Sequence, residues 1–95
     1  MRVLDLGCGQ GIPLRRLGVT DSDEVFGIDI DEGDLEIARN RFPNRKFMAG
    51  KGEDLCFLDE NTFDLVICEV SLPYMNIPRA LAEIYRVLKP GGSVF

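Results

Sequence analysis

The sequence predicts an α/β fold, a doubly wound parallel sheet with helices on both faces. Three observations predict it. Short apolar runs alternate along the chain with segments whose apolar residues recur every three or four positions. One run, "FDLVICEV", is nearly continuous apolar sequence, as suits a strand covered on both faces. Capping residues and Pro or Gly stops mark the junctions between the two kinds of segment. With 95 residues the chain makes one small domain, burying roughly two-thirds of its unfolded surface.

Taken in order, residues 3–6 predict a buried first strand that runs straight into the glycine-rich "GCGQG". In "IPLRRLG", Pro13 suits a first helical turn, Leu14 and Leu17 stand three apart and Gly18 is a stop, so a short helix is expected. "VFGIDI", residues 25–30, predicts a second strand that ends in acid. "DEGDLEIARNRF" then places Leu35, Ala38 and Phe42 at helical spacing. Asp31 is its expected N-cap and Asp34 lies in its first turn, where the helix dipole favours a negative charge. Arg39 and Arg41 fall near its end and Pro43 closes it. Residues 45–50 predict a third strand and residues 63–70 a fourth, after a short link. In "NIPRALAEIYRVLKPGG", Ile77, Leu81, Ile84, Tyr85 and Leu88 form the expected helical stripe, with Asn76 as cap, Pro78 in the first turn and Pro90, Gly91 and Gly92 as the stop. "SVF" opens a fifth strand. In a sheet of this kind ligands bind beyond the carboxyl ends of the strands.

Composition narrows the function. The net charge is −5 and nucleic acid is a poor default partner, because an acidic chain repels phosphate backbones. No apolar stretch approaches the ~18 residues of a membrane span. Cys8, Cys56 and Cys68 are odd in number and far apart, which argues against a disulfide framework and a zinc site and for reduced thiols in a cytoplasmic protein. The chain has no histidine, so Ser-His-Asp triads, Cys-His pairs and histidine metal sites are excluded from it.

The chemistry concentrates in "VLDLGCGQG". Gly7, Gly9 and Gly11 make G-x-G-x-G. The dinucleotide fingerprint needs a further glycine where Ile12 stands, and the phosphate-binding P-loop pattern is not matched. Asp29 ends the second apolar run about 20 residues further on, where an acid accepts hydrogen bonds from both ribose hydroxyls of an adenosine. Capping of the strand end or the next helix is the plainer role for Asp29. Asp5 is the one acid within the first strand, and a buried carboxylate is costly unless paired or hydrogen-bonded. It suits a ligand with an ammonium and a sulfonium near the loop; equally, it can bind backbone N–H groups and hold the glycine turn in shape.

"VLDLGCGQG", "VFGIDI" with "LEIAR", "GEDLCF", "FDLVIC" and "EIYRVLKPGG" together resemble the class I S-adenosylmethionine-dependent methyltransferases, nearest to the small-molecule and quinone-type branch. The likeness is collinear over nearly the whole chain. It implies a Rossmann-like sheet and S-adenosyl-L-methionine as cofactor. By that resemblance Gly7, Cys8, Gly9 and Gly11 form the cradle of the methionine part, and Asp5 helps fix its amino group. Asp29 binds the ribose with Ile30 beside the adenine. Lys51, Gly52 and Glu53 lie along the adenine edge, Leu55 lies near its face, and Glu69 and Val70 line the mouth by the methyl group. Where this chain has Lys51 the family usually has aspartate to take the adenine amino group; lysine cannot accept a hydrogen bond. Adenine recognition is then either weaker or passed to backbone groups, Glu53 or Asp54.

The likeness begins at the first strand and breaks off inside the fifth, so residues 1–95 are expected to be a partial domain, the first five strands of the core. Such a chain would associate with the missing parts and, by itself, would carry an exposed edge at the fifth strand. The expected function is methyl transfer to a small-molecule acceptor. Its catalysis comes largely from holding donor and acceptor in line, and a base is needed only where the acceptor must lose a proton. Glu69 and Tyr74 are the candidates for that base. "SLPY" resembles the N-P-P-Y element of amino-group methyltransferases, broken by Leu72, and is equally a plain loop. Two alternatives stand beside this reading: a cofactor-binding remnant without turnover, and a nicotinamide oxidoreductase domain, which Ile12 disfavours.

Overall fold

The computed structural model describes residues 1–68 and 76–95. Five strands form one wholly parallel sheet: β1 (Arg2–Leu6), β2 (Glu24–Asp29), β3 (Lys46–Ala49), β4 (Phe63–Ile67) and β5 (Leu88–Val94). Their spatial order is β3-β2-β1-β4-β5, so the chain winds outward from β1 in both directions. Helix α1 (Glu32–Arg41) connects β2 to β3, and α2 (Ile77–Val87) precedes β5.

The sheet's pleat sorts the core onto two faces. Leu4, Leu6, Ile28, Phe63 and Val66 pack with Ile84 and Val87 of α2 and with Leu55 and Leu58 from the link between β3 and β4. On the other face Val3, Val25 and Ile67 meet Leu14 and Val19, while Phe47 meets Leu35 and Ala38 of α1. Both faces are therefore covered, as the alternating pattern predicts. Each fully buried Leu, Ile or Phe contributes about 1.5–3 kcal/mol relative to exposure.

The helix starts follow their caps. The Asp31 side chain accepts the Asp34 N–H at 3.0 Å, and Asn76 accepts the Arg79 N–H at 3.3 Å with Pro78 in the first turn. Three expectations are corrected. The short helix after the glycine loop is only a three-residue 3₁₀ turn, Arg15–Leu17. Pro13 and Gly18 leave too few residues between them to repay helix nucleation, and Gly18 ends the turn in the left-handed region. The buried stripe of α2 is Ala80, Ile84 and Val87, whereas Tyr85 is 68% and Ile77 45% exposed. Finally, "PGG" does not end α2. The helix already stops at Val87, and Leu88 begins β5. Phe63 pairs with Leu88 but Leu65 with Ser93, so the residues between Leu88 and Ser93 form an irregular bulge within the strand pairing. β5 lies at one edge of the sheet, with Val94 and Phe95 about half exposed.

Candidate functional site

The strand order reverses between β1 and β4, which makes the space beyond their carboxyl ends the switch-point crevice where such folds bind ligands. The glycine loop leaves β1 into that crevice. Its shape comes from backbone bonds to the neighbouring strand: the N–H groups of Gly7 and Cys8 both donate to the Ile28 carbonyl, at 2.7 and 3.0 Å. The Gly11 N–H then donates to the Cys8 carbonyl at 2.9 Å and closes the turn. Gly9 has φ +55°, and a Cβ there would meet nothing within 4 Å, so its backbone is open to close approach by a ligand. Gly11 has φ +81°, and a Cβ there would stand 2.8 Å from the Phe42 ring.

Asp29, at the end of β2, is joined directly to this loop. Its Oδ2 accepts the Gly9 N–H at 2.8 Å and its Oδ1 accepts the Asp31 N–H at 3.0 Å. Asp29 thus caps the strand end and ties it to the glycine loop. A carboxylate offers about four acceptor positions, and each oxygen here uses one, so both keep capacity for a hydroxyl. Ile30 beside it is 74% exposed at the rim.

Beneath the loop lie Asp5, 5% exposed, and Cys8, 6% exposed. Burial, and then the charges of Asp5 and Asp29, push the Cys8 thiol up to about 12, so it stays neutral at physiological pH and is no nucleophile. Its role is packing against Leu35, Ala38 and Phe47.

Across the crevice the link after β3 starts from Gly50, whose N–H donates to the Asp29 carbonyl at 3.1 Å. Lys51 and Asp54 form an isolated antiparallel bridge, with Gly52 buried and Glu53 half-buried between them. Leu55, expected near the adenine face, is completely buried and belongs to the core cluster. The aromatic side chain at this rim is Phe57, 47% exposed, whose ring lies 3.1 Å from where a Gly50 Cβ would be. Glu69, Val70 and Tyr74 lie outside the described residues.

Sequence reasoning missed the side chains that hold these loops. Glu83 accepts the Leu55 N–H at 2.6 Å, and Arg86 donates to the carbonyls of Leu55 and Leu58 at 2.7 and 2.9 Å while bonding Glu83. Arg41 donates to Gly11 O at 3.1 Å and Arg45 to Ile12 O at 2.7 Å. Neither set has a local sequence signal, since each bridges about 30 residues. A groove of about 420 Å³ lies on the far flank of the loop, lined by Leu14, Val19, Val25, Phe42 and Arg45 among others; it shares the loop's braces but none of the crevice residues named above.

The geometry has close counterparts among known proteins. The model of the methyltransferase domain family matches residues 4–95. The chain belongs to this family. The methyltransferase domain is 41% identical over 99 residues to a demethylmenaquinone methyltransferase of Symbiobacterium thermophilum, covering 95% of this chain and 39% of that protein. It is 38% identical to the human protein named arginine-hydroxylase NDUFAF5, mitochondrial, covering 94% of this chain and 26% of that one. Among solved structures it superposes on the [4+2]-cyclase SpnF with a TM-score of 0.86 at 33% identity, over 98% of this chain and 36% of that one. The domain therefore spans well under half the length of these relatives. Its sheet is the Rossmann-like sheet of class I methyltransferases, as the sequence resemblance implies. No helix among the described residues is long and apolar enough to cross a membrane.

Proposed function

We propose that the domain binds S-adenosyl-L-methionine and serves methyl transfer to a small-molecule acceptor. The observation that carries the proposal is the Asp29 carboxylate, tied to the Gly9 N–H of an open glycine loop at the switch point, in a chain of the methyltransferase family. The residues fit the cofactor. Asp29 retains lone pairs for two ribose hydroxyls, Gly9 leaves room for the methionine part, and Asp5 supplies buried negative charge below the loop. Phe57 and Ile30 offer exposed apolar surface for an adenine. Lys51 accepts no hydrogen bond, so Glu53, Asp54 or backbone carbonyls take the adenine amino group.

When bound, the cofactor supplies an electrophilic methyl group on a sulfonium. This chain's part is to hold and orient: Asp29 and the glycine loop fix the donor, and alignment with an acceptor supplies most of the rate. Glu69 and Tyr74 are the candidates to remove an acceptor proton. The demethylmenaquinone methyltransferase relative supports a small-molecule acceptor. Cys8, Cys56 and Cys68 form no disulfide, which suits a reducing compartment such as the cytoplasm.

A second reading is cofactor binding without methyl transfer. Two similar proteins carry the names of a hydroxylase and a cyclase, which keeps this reading open to test. Titration calorimetry with S-adenosylmethionine, S-adenosylhomocysteine and NAD separates these. Both sulfur ligands should bind and NAD should not, and Asp29→Asn should weaken binding about tenfold, one charge-assisted contact. Silence toward both sulfur ligands at millimolar concentration would sink the first two readings. Binding without turnover on any acceptor would select the second.

A further inference from the structure

The glycine loop uses its N–H groups and its carbonyls on different partners. The N–H groups of Gly7, Cys8 and Gly9 go to Ile28 and Asp29 of β2. Three successive carbonyls, of Gln10, Gly11 and Ile12, go to two guanidinium groups. Arg41 Nη1 lies 3.1 Å from Gly11 O and 3.4 Å from Gln10 O, and Arg45 Nη1 lies 2.7 Å from Ile12 O. The Phe42 ring fills the space between. Arg45 lies over that ring at 3.9 Å and Arg41 at 5.3 Å, and the same ring touches the position a Gly11 Cβ would take.

Arg45 is also set in the field of Asp5. Burial lowers its pKa, and the largest opposing influence is the Asp5 charge. Sequence position explains little of this. Arg41 sits where any helix favours a cation, yet Arg39, equally near that end, turns to Glu32 at 2.8 Å and Phe47 O at 3.0 Å.

We propose that Arg41 and Arg45, stacked about Phe42, are positioning residues that pre-order the glycine loop for its ligand by holding the carbonyls of Gln10, Gly11 and Ile12. Neither arginine is placed to touch the reacting atoms. They act through the loop, whose ordering before binding removes an entropic cost from association. The proposal's binding arm rests on the S-adenosylmethionine reading; its ordering arm does not.

The test uses the full chain with Arg41→Gln, Arg45→Lys, Arg45→Ala and, as control, Arg39→Ala. Amide hydrogen exchange is measured at residues 9–12, beside thermal melting and S-adenosylmethionine titration. Arg45→Ala should speed exchange in the loop and raise the Kd, each about tenfold, as expected for one lost charge-assisted bond. Arg45→Lys should recover part of both, because it keeps a donor but not the stacked plane. Arg41→Gln should act in the same direction by a few fold. Arg39→Ala should leave loop exchange unchanged even where it lowers the melting temperature. If Arg45→Ala does not fold, Arg41→Gln and Arg45→Lys decide by the same readouts. Unchanged loop exchange in the arginine variants, or an equal response to Arg39→Ala, overturns the proposal. Faster exchange in a chain that binds no S-adenosylmethionine upholds the brace and defeats the cofactor reading. Wild-type and variant affinities that agree defeat the claim that the brace serves ligand binding and leave the cofactor reading standing.

Discussion

Two irregular loops face each other across the crevice, and they are held by opposite strategies. The glycine loop of residues 7–12 is secured by many partners: backbone of β2, the Asp29 carboxylate, and two arginines around Phe42. Among the described residues, the link of residues 51–58 is tied to α2 by one ion pair, Glu83 with Arg86, which takes the Leu55 N–H and the carbonyls of Leu55 and Leu58. The first loop must leave Gly9 open while staying ordered, so its restraints are spread around the opening. The second already buries Leu55 and Leu58 in the core and needs only its polar backbone satisfied. Distributed restraint should tolerate single losses better than concentrated restraint.

The sharpest way to break this comparison is Arg86→Ala. It strands two part-buried carbonyls and the Glu83 carboxylate together, so a loss of about 3 kcal/mol is expected in denaturant unfolding. A loss no greater than that of Arg41→Ala would contradict the idea of a concentrated anchor. Next is Gly11→Ala, which combines a left-handed φ with a methyl 2.8 Å from the Phe42 ring. It should cost about 2 kcal/mol in the same measurement, and a neutral result would mean that the ring gives way freely.

The dependence on pH should separate the two loops. The Cys8 thiol under the glycine loop is pushed up to about 12 from 9.0. The folded state therefore holds that proton more tightly, and this stabilisation is full below pH 9 and fades as pH climbs toward 12. The Glu83 carboxyl is held below its usual range, first by its hydrogen bond from Arg86. Its contribution is present above the ordinary carboxylate range and is lost as pH falls through the lowered value. Hydrogen exchange against pH should thus loosen residues 51–58 first in acid and residues 7–12 first in alkali. Both loops opening together at one extreme would count against this division.

Much of the frame was legible along the chain because its signals are local. Asp31 and Asn76 cap the helices they precede, since a side chain two or three residues from a free N–H needs no tertiary help to reach it. Asp29 stood out as an acid closing an apolar run, and the structure joins it to Gly9. The helix expected at "IPLRRLG" shrank to a 3₁₀ turn because two local signals, leucine spacing and glycine stops, competed over too few residues. The stripe on α2 shifted because periodicity orients a helix only to within about one residue; Ala80 and Val87 packed inward and Tyr85 remained outside.

The sequence by itself determined the alternation of strands and helices, their caps, and the glycine loop with its acid, all from contacts within a turn or from a simple period. The tertiary structure alone decided which face Leu55 occupies and where Arg41, Arg45 and Arg86 deliver their charges. A long cationic side chain reaches several acceptors from any one position. Which one it finds depends on which strands lie side by side, and the order β3-β2-β1-β4-β5 brings together residues about 30 apart that no local pattern connects.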